Sequence, residues 1–225
     1  MEQPIVFENT KDIATAYVKV LVHGPAGAGK TRLCGTTGDK TLIINAEGGL
    51  LSLRGQEIDV YTIRTLADLR RIYQYLTSDT TFKWVCLDSI SEVAEVVLAA
   101  EKQNTKDPRK AYGEMAETMA EMIRCFRDLP KNVYFSAKQD RLKDDVSGSI
   151  VFGPSAPGQK LGVSLPYFFD IVMALHTWKD ESGEIKSGLQ TRRDAQYEAK
   201  DRSGCLDMLE PADLSIIHSK IMKGN

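Results

Sequence analysis

Gly24-Pro25-Ala26-Gly27-Ala28-Gly29-Lys30-Thr31 is a complete G-x-x-x-x-G-K-[ST] phosphate-binding loop, and it follows the short apolar run Val18 to Val22. Glycines let the backbone wrap so that successive N–H groups point at phosphate oxygens, and a following helix aims its positive end at the same anion. The nucleotide-binding candidates are therefore Gly24, Pro25, Ala26, Gly27, Ala28, Gly29, Lys30, Thr31 and Arg32. In that arrangement Lys30 reaches the β- and γ-phosphates and Thr31 holds Mg²⁺, so the expected ligands are ATP and Mg²⁺.

Outward from the loop, apolar strand-like runs alternate with helical periodicity. A helix is expected over Lys30 to Thr37, a buried strand over Thr41 to Asn45, a further strand over Glu57 to Thr62 and a helix from about Thr65 to Thr77. Lys83 to Ser89 is an apolar strand ending in the carboxylate of Asp88, followed by a helix carrying Val93, Val96, Val97 and Ala100 on one face. This has the form of a Walker B element, whose Asp accepts a hydrogen bond from Mg²⁺-bound water or from the Thr31 hydroxyl. The polar stretch Gln103 to Lys110 reads as a loop in which Pro108 breaks helix periodicity. Ala111 to Leu129 reads as a helix with Met115, Met119, Met122, Ile123 and Phe126 on a core-facing stripe. Val133 to Ala137 reads as a strand that empties into a long loop reaching about Gly158. Phe168 to Trp178 and Gly188 to Lys200 read as antiparallel strands joined through Asp180 to Gly183, and Pro211 as the first turn of a final helix carrying Leu214, Ile217 and Ile221. The expected fold is α/β, a mostly parallel central sheet flanked by helices with an antiparallel C-terminal extension. One domain is expected over residues 1–225, with about 1–16 as a lead-in and 205–225 as the C-terminal helix.

At 225 residues, 42% hydrophobic and 27% charged, the chain is long enough for one substantial core. A formal net charge of −2 excludes a global basic field, so any nucleic-acid surface must be local. Cys34, Cys86, Cys125 and Cys205 are widely spaced without a C-x-x-C pair, which reads as reduced intracellular thiols, Cys86 and Cys125 as small buried hydrophobes. His23, His176 and His218 have no metal-site spacing. The N-terminus lacks a basic segment followed by an apolar one, and no window approaches a membrane span, so a cytoplasmic protein without a membrane partner is expected.

Hydrolysis requires a group that orients or deprotonates water, and the position after the Walker B Asp is Ser89 rather than a Glu. The best candidate for the base is Glu47 in Asn45-Ala46-Glu47-Gly48-Gly49, which faces the γ-phosphate if its strand neighbours the phosphate-loop strand. Taken with Asp88-Ser89, this resembles the RecA-like recombinase and hexameric-helicase group over about Tyr17 to Arg202. The resemblance implies Glu47 as catalytic base, and a γ-phosphate sensor at Lys138 or Gln139, where the strand after Walker B leads into a DNA-binding loop. It also implies DNA contacts from two loops, Lys106, Arg109 and Lys110 in one and Arg141, Lys143 and Lys160 in the other, although Asp140, Asp144 and Asp145 dilute the second.

Glu198-Ala199-Lys200-Asp201-Arg202-Ser203-Gly204 looks like the K-x-R motif of ring helicases, which reaches into a neighbouring subunit's ATP site. Cations supplied in trans neutralise charge on the transferred phosphoryl group, so the resemblance implies a homo-oligomer, ring or filament, with Lys200 and Arg202 as catalytic groups. No added N-terminal oligomerisation domain is expected, which argues against full RecA-type filaments. The minimal core is similar to phage-encoded RecA-like nucleotide-binding proteins, some of which anneal single strands in recombination. That similarity implies single-stranded DNA, a single-strand-binding protein as a further partner, and the host cytoplasm as location. Two other readings stand beside it. A metabolite kinase would need a second pocket and an Arg-rich lid, which Gln56 to Asp79 does not supply, and a nucleotide-dependent assembly switch would hydrolyse little ATP.

Overall fold

Three runs with hardly a charged residue, Lys19–Gly24 (β1), Thr41–Asn45 (β2) and Trp84–Asp88 (β4), form strands that are buried almost throughout. Continuous apolar character of this kind belongs to parallel strands covered on both faces. The computed structural model describes residues 17–143 and 150–224, with Phe7, Asn9 and Gly148 besides. The rest of the expected lead-in, and Asp144 and Asp145 of the expected second loop, lie outside the described residues.

The remaining strands are Asp59–Thr62 (β3), Asn132–Lys143 (β5), Ile150–Ser155 (β6), Ile171–Lys179 (β7), Ile185–Gln190 (β8), Lys200–Asp201 (β9) and Leu209–Pro211 (β10). Across the sheet the order is β10-β8-β7-β1-β5-β4-β2-β3, with β6 on β5 and β9 on β7. The pairings from β7 to β3 are parallel, and β6, β8, β9 and β10 are antiparallel additions. The α/β class with an antiparallel C-terminal extension is thus as expected.

The helices are Lys30–Leu33 (α1), Leu66–Ser78 (α2), Ile90–Asn104 (α3), Pro108–Arg127 (α4), Gln159–Ser164 (α5) and Leu214–Lys223 (α6). Because side chains alternate along a strand, Leu21, Ile44, Val85 and Phe135 face a core shared with α2, α3 and α4. Val20, Val22, Ile43 and Cys86 face the opposite core, closed by Leu33, Leu214, Ile217 and Ile221. The stripe of α4 from Met115 to Phe126 is buried as its periodicity predicts. Cys86 is buried, but Cys125 is only half-buried. No helix among the described residues is long and apolar enough to cross a membrane.

Several expected boundaries shift, each for a local reason. The helix after the phosphate loop has one α-turn and ends in a 3-10 turn at Cys34–Thr36. The expected loop over 103–110 shrinks to Thr105, Lys106 and Asp107. The Asp107 carboxylate accepts from the Arg109 N–H at 2.9 Å, and Pro108 occupies the first helical position, where its missing N–H costs nothing. Pro108 therefore starts a helix. The expected long loop after Ala137 is largely hairpin, since β5 continues to Lys143 and pairs antiparallel with β6. The strand expected to run to Lys200 stops at Gln190; Tyr197 then bridges to Phe152 of β6, and Lys200 and Asp201 pair with the start of β7. Pro211 ends β10, and α6 begins three residues later behind Asp213, whose carboxylate accepts from the Ser215 and Ile216 N–H groups.

Candidate functional site

β1 delivers Gly24 into contact with the backbone of β7, so close that a Cβ there would lie 2.6 Å from the Leu175 carbonyl oxygen. Only glycine fits, and the chain turns from that point into a loop in which Gly27 and Gly29 hold φ of 78° and 105°. The Lys30 ammonium folds back over the loop, donating to the carbonyls of Gly24 at 2.7 Å and Pro25 at 2.9 Å. Burial lowers its pKa, while the charges of Glu47 and Asp88 oppose that shift. From β5, the buried Tyr134 hydroxyl donates to the Lys30 carbonyl at 2.8 Å and ties the start of α1 to the sheet.

Asp88, at the end of β4, has no exposed surface. Its Oδ2 accepts from the Thr31 hydroxyl at 2.6 Å, and its Oδ1 accepts from the Ser136 hydroxyl of β5. Asp88 is thus in direct hydrogen-bonded contact with the phosphate loop. A hydroxyl and a carboxylate side by side are hard oxygen donors suited to Mg²⁺, and the adjoining ammonium and glycine backbone suit a polyphosphate. The residues present fit Mg²⁺ and a nucleoside triphosphate.

Glu47 is reached differently from the expectation. β2 pairs with β4, not with β1, and both β4 and β5 stand between β2 and the phosphate-loop strand. What brings Glu47 to the site is the turn itself: the N–H groups of Ala46 and Glu47 donate to the Asp88 carbonyl at 2.8 and 3.4 Å, and the Asn45 side chain accepts from the Gly48 N–H at 2.9 Å. The Glu47 side chain is exposed, and its charge is felt by both Lys30 and Lys138.

Lys138 and Gln139 diverge. Lys138 pairs in the sheet with Gly24, and its ammonium binds the Glu92 carboxylate of α3, a hydrogen bond that raises its pKa. Gln139 turns toward β1, where its side-chain amide lies 3.2 Å from His23 Nδ1. His23 had no assigned role in the sequence, although a histidine in the last apolar position before the phosphate loop was a visible signal.

The other candidates lie apart from this centre. Lys106, Arg109 and Lys110 are exposed at the α3–α4 junction, Arg141 and Lys143 on the outer half of β5, and Lys160 on α5. Lys200 and Arg202 flank the pairing of β9 with the start of β7, level with Val20 of β1. That is four residues back from Gly24, or about 13 Å along the strand. Lys200 donates to the Pro166 carbonyl at 2.6 Å, and burial and the nearby Arg202 lower its pKa. Arg202 pairs with Asp170 at 3.1 Å. Together with Lys143, Arg193 and Tyr167 they line a groove of about 270 Å³, a grouping that linear sequence does not display.

A family model described as an AAA domain matches residues 16–203. Among solved structures, the crystal structure of a KaiC-like protein from the hyperthermophilic archaeon Pyrococcus horikoshii OT3 is 15% identical, covers 78% of each chain and has a TM-score of 0.43. No curated protein matches the chain. With the family match running in sequence from β1 to β9, and the loop and its carboxylate partner in contact, the chain belongs to the AAA domain family of P-loop NTPases.

Proposed function

We propose that the chain is a self-assembling Mg²⁺-dependent ATPase that binds single-stranded DNA and promotes strand annealing. The observation that carries the catalytic part is the 2.6 Å hydrogen bond from the Thr31 hydroxyl to the buried Asp88 carboxylate. Thr31 and Asp88 would hold a Mg²⁺ ion, which would supply neutralisation of the phosphate charge. Thr31 and Asp88 orient that ion, Lys30 neutralises the phosphates, Glu47 takes or orients the proton of the attacking water, and Gln139 senses the γ-phosphate. Lys200 and Asp201 lie level with Leu21 and Val20 of β1, about 13 Å along the strand from Gly24 and the loop that follows it, and on this reading the phosphoryl group that Lys200 and Arg202 serve is that of another copy of the chain. This supports turnover that depends on assembly. The DNA reading is supported by exposed cations on three elements, Lys106, Arg109 and Lys110 at the α3–α4 junction, Arg141 and Lys143 on the β5–β6 hairpin, and Lys160 on α5.

The test is steady-state ATP hydrolysis with and without single-stranded DNA at two salt concentrations, with Glu47→Gln as the inactive control. Stimulation that weakens at the higher salt is the expected result, because phosphate contacts release counterions. Turnover indifferent to DNA at both salts would remove DNA from the reading and leave a nucleotide-driven assembly protein.

A further inference from the structure

His23 is the last residue of β1 before Gly24 and has no exposed surface. Its partners on the two flanking strands are Ala137 and Ala174, whose small side chains leave room for the ring. Nε2 lies 2.7 Å from the Glu198 carbonyl oxygen, and Nδ1 lies 3.2 Å from Gln139 Oε1. A carbonyl oxygen only accepts, so Nε2 carries the proton. Burial pushes the pKa down to about 4 against the opposing hydrogen bonds, so the ring is neutral and Nδ1 is an acceptor. An accepting Nδ1 calls for a donor, so the amide is assigned with its NH₂ toward the ring in place of the Oε1 drawn there, and its carbonyl oxygen then points away.

The second arm of the ring holds a strategic stretch of backbone. The Glu198 N–H donates to the Phe152 carbonyl of β6 at 2.8 Å, and Lys200 and Arg202 follow two and four residues later. One buried imidazole thus bridges the side chain at the fork of β5 and the main chain that leads to the two cations.

We propose that His23 is a positioning residue that fixes the Gln139 amide in one orientation and locks it to the Glu198 backbone, so that Gln139 and the Lys200–Arg202 segment move together. The inference deepens the ATPase reading and rests on it. If Gln139 registers the nucleotide held by its own chain, displacement of its amide pulls or releases the segment whose cations serve the neighbouring chain. Successive sites in an assembly are then energetically coupled, and the coupling runs through a side chain that touches neither nucleotide.

The two arms can be cut separately. In His23→Asn the shorter amide keeps a polar group near the Nδ1 position but not at Nε2, and in His23→Gln the longer one keeps a donor near Nε2 but not the acceptor at Nδ1. Each variant, and the wild type, is measured for binding of a fluorescent ATP analogue, for kcat and KM, and for the Hill coefficient of turnover against ATP. Both variants are expected to bind the analogue within about twofold of wild type while kcat falls about tenfold, the scale of one lost buried hydrogen bond. The Hill coefficient is expected to fall to 1 in both. In a Gln139→Ala background His23→Asn should change kcat no further, because the group it positions is gone.

Wild-type kcat and Hill coefficient in either variant would overturn the proposal. So would analogue affinity and kcat falling in parallel, the mark of a purely structural role. Gln139→Ala and Arg202→Ala run alongside separate the failures: if those two turn over ATP normally, the assigned roles of Gln139 and Arg202 are wrong, and if they are impaired while the His23 variants are not, only the coupling is wrong. Wild type that hydrolyses no ATP would remove both.

Discussion

Replacing Lys131 with methionine isolates the cost of one buried charge. Lys131 stands at the entrance to β5, and its side chain and that of its partner Asp79 are only 3% and 2% exposed. The ammonium donates to Asp79 Oδ2 at 2.9 Å, to the Asp79 carbonyl at 2.8 Å and to the Phe82 carbonyl at 3.0 Å, so its three protons are all used. Asp79 also accepts from the N–H groups of Phe82 at 3.0 Å and Thr81 at 3.1 Å. Burial alone would raise the carboxyl pKa, but the Lys131 ammonium and these amides outweigh it and hold the value at about 2. Methionine keeps most of the volume and strands the carboxylate. Breaking a buried pair in this way costs about 3–5 kcal/mol. In a chain of this size that is a Tm lower by about 6–20 °C.

The pH dependence gives the prediction its sign. In the wild type the folded pKa of Asp79 lies below the unfolded value, so its contribution is fully present above about pH 4 and is lost as pH falls toward 2, amounting to about 2 kcal/mol. Without Lys131 the pKa rises and the variant gains from protonation instead. Thermal melts followed by circular dichroism from about pH 6 to about pH 3 should therefore show the two curves converging. A variant melting within about 2 °C of wild type near neutrality, or a gap that stays constant on acidification, would refute the reasoning.

Three further outcomes are expected. Lys30→Ala and Arg202→Ala should each be defective in turnover, Arg202→Ala with normal nucleotide affinity, and mixing the two should restore part of the activity because each supplies what the other lacks; a mixture no more active than its parts would exclude trans action. Thr31→Ala and Asp88→Asn should each weaken Mg²⁺-dependent nucleotide binding about ten- to hundredfold, and the double variant should lose less than the product, because the two residues share one hydrogen bond; strictly multiplicative losses by calorimetry would contradict that. Met115→Ala, at a position with no exposed surface, should lower stability by about 2–5 kcal/mol in urea titration and leave nucleotide affinity unchanged.

The parts legible in sequence are those whose cause is local. The phosphate loop is written in consecutive residues, and β2, β4 and the stripe of α4 are written in apolar patterns that short-range geometry must satisfy. Pro108 shows how a local sign can be read backwards, since the same residue that breaks a helix interior starts a helix when Asp107 caps it. Other features depend on partners distant in the chain. The outer half of β5 has no apolar alternation of its own and is a strand because β6 completes its hydrogen bonds. Sheet order likewise separates β2 from β1, so Glu47 reaches the site through a turn hung on the Asp88 carbonyl and not through an adjacent strand. His23 escaped because its meaning lies in Gln139 and Glu198, which are 116 and 175 residues away.

Mechanically, β5 is a cantilever. Asn132 to Ala137 are buried, with β4 alongside as far as Phe135 and β1 alongside as far as Lys138, whereas among the described residues Gln139 to Lys143 pair with β6 alone. The fulcrum falls at Lys138 and Gln139, the two residues anchored to Glu92 and His23. From Gln139 to Lys143 the free arm is about 13 Å long, so a tilt of about 10° at the fulcrum sweeps its end through about 2 Å. A displacement too small to disturb the core at one end of this strand becomes, at the other, a shift large enough to make or break a hydrogen bond.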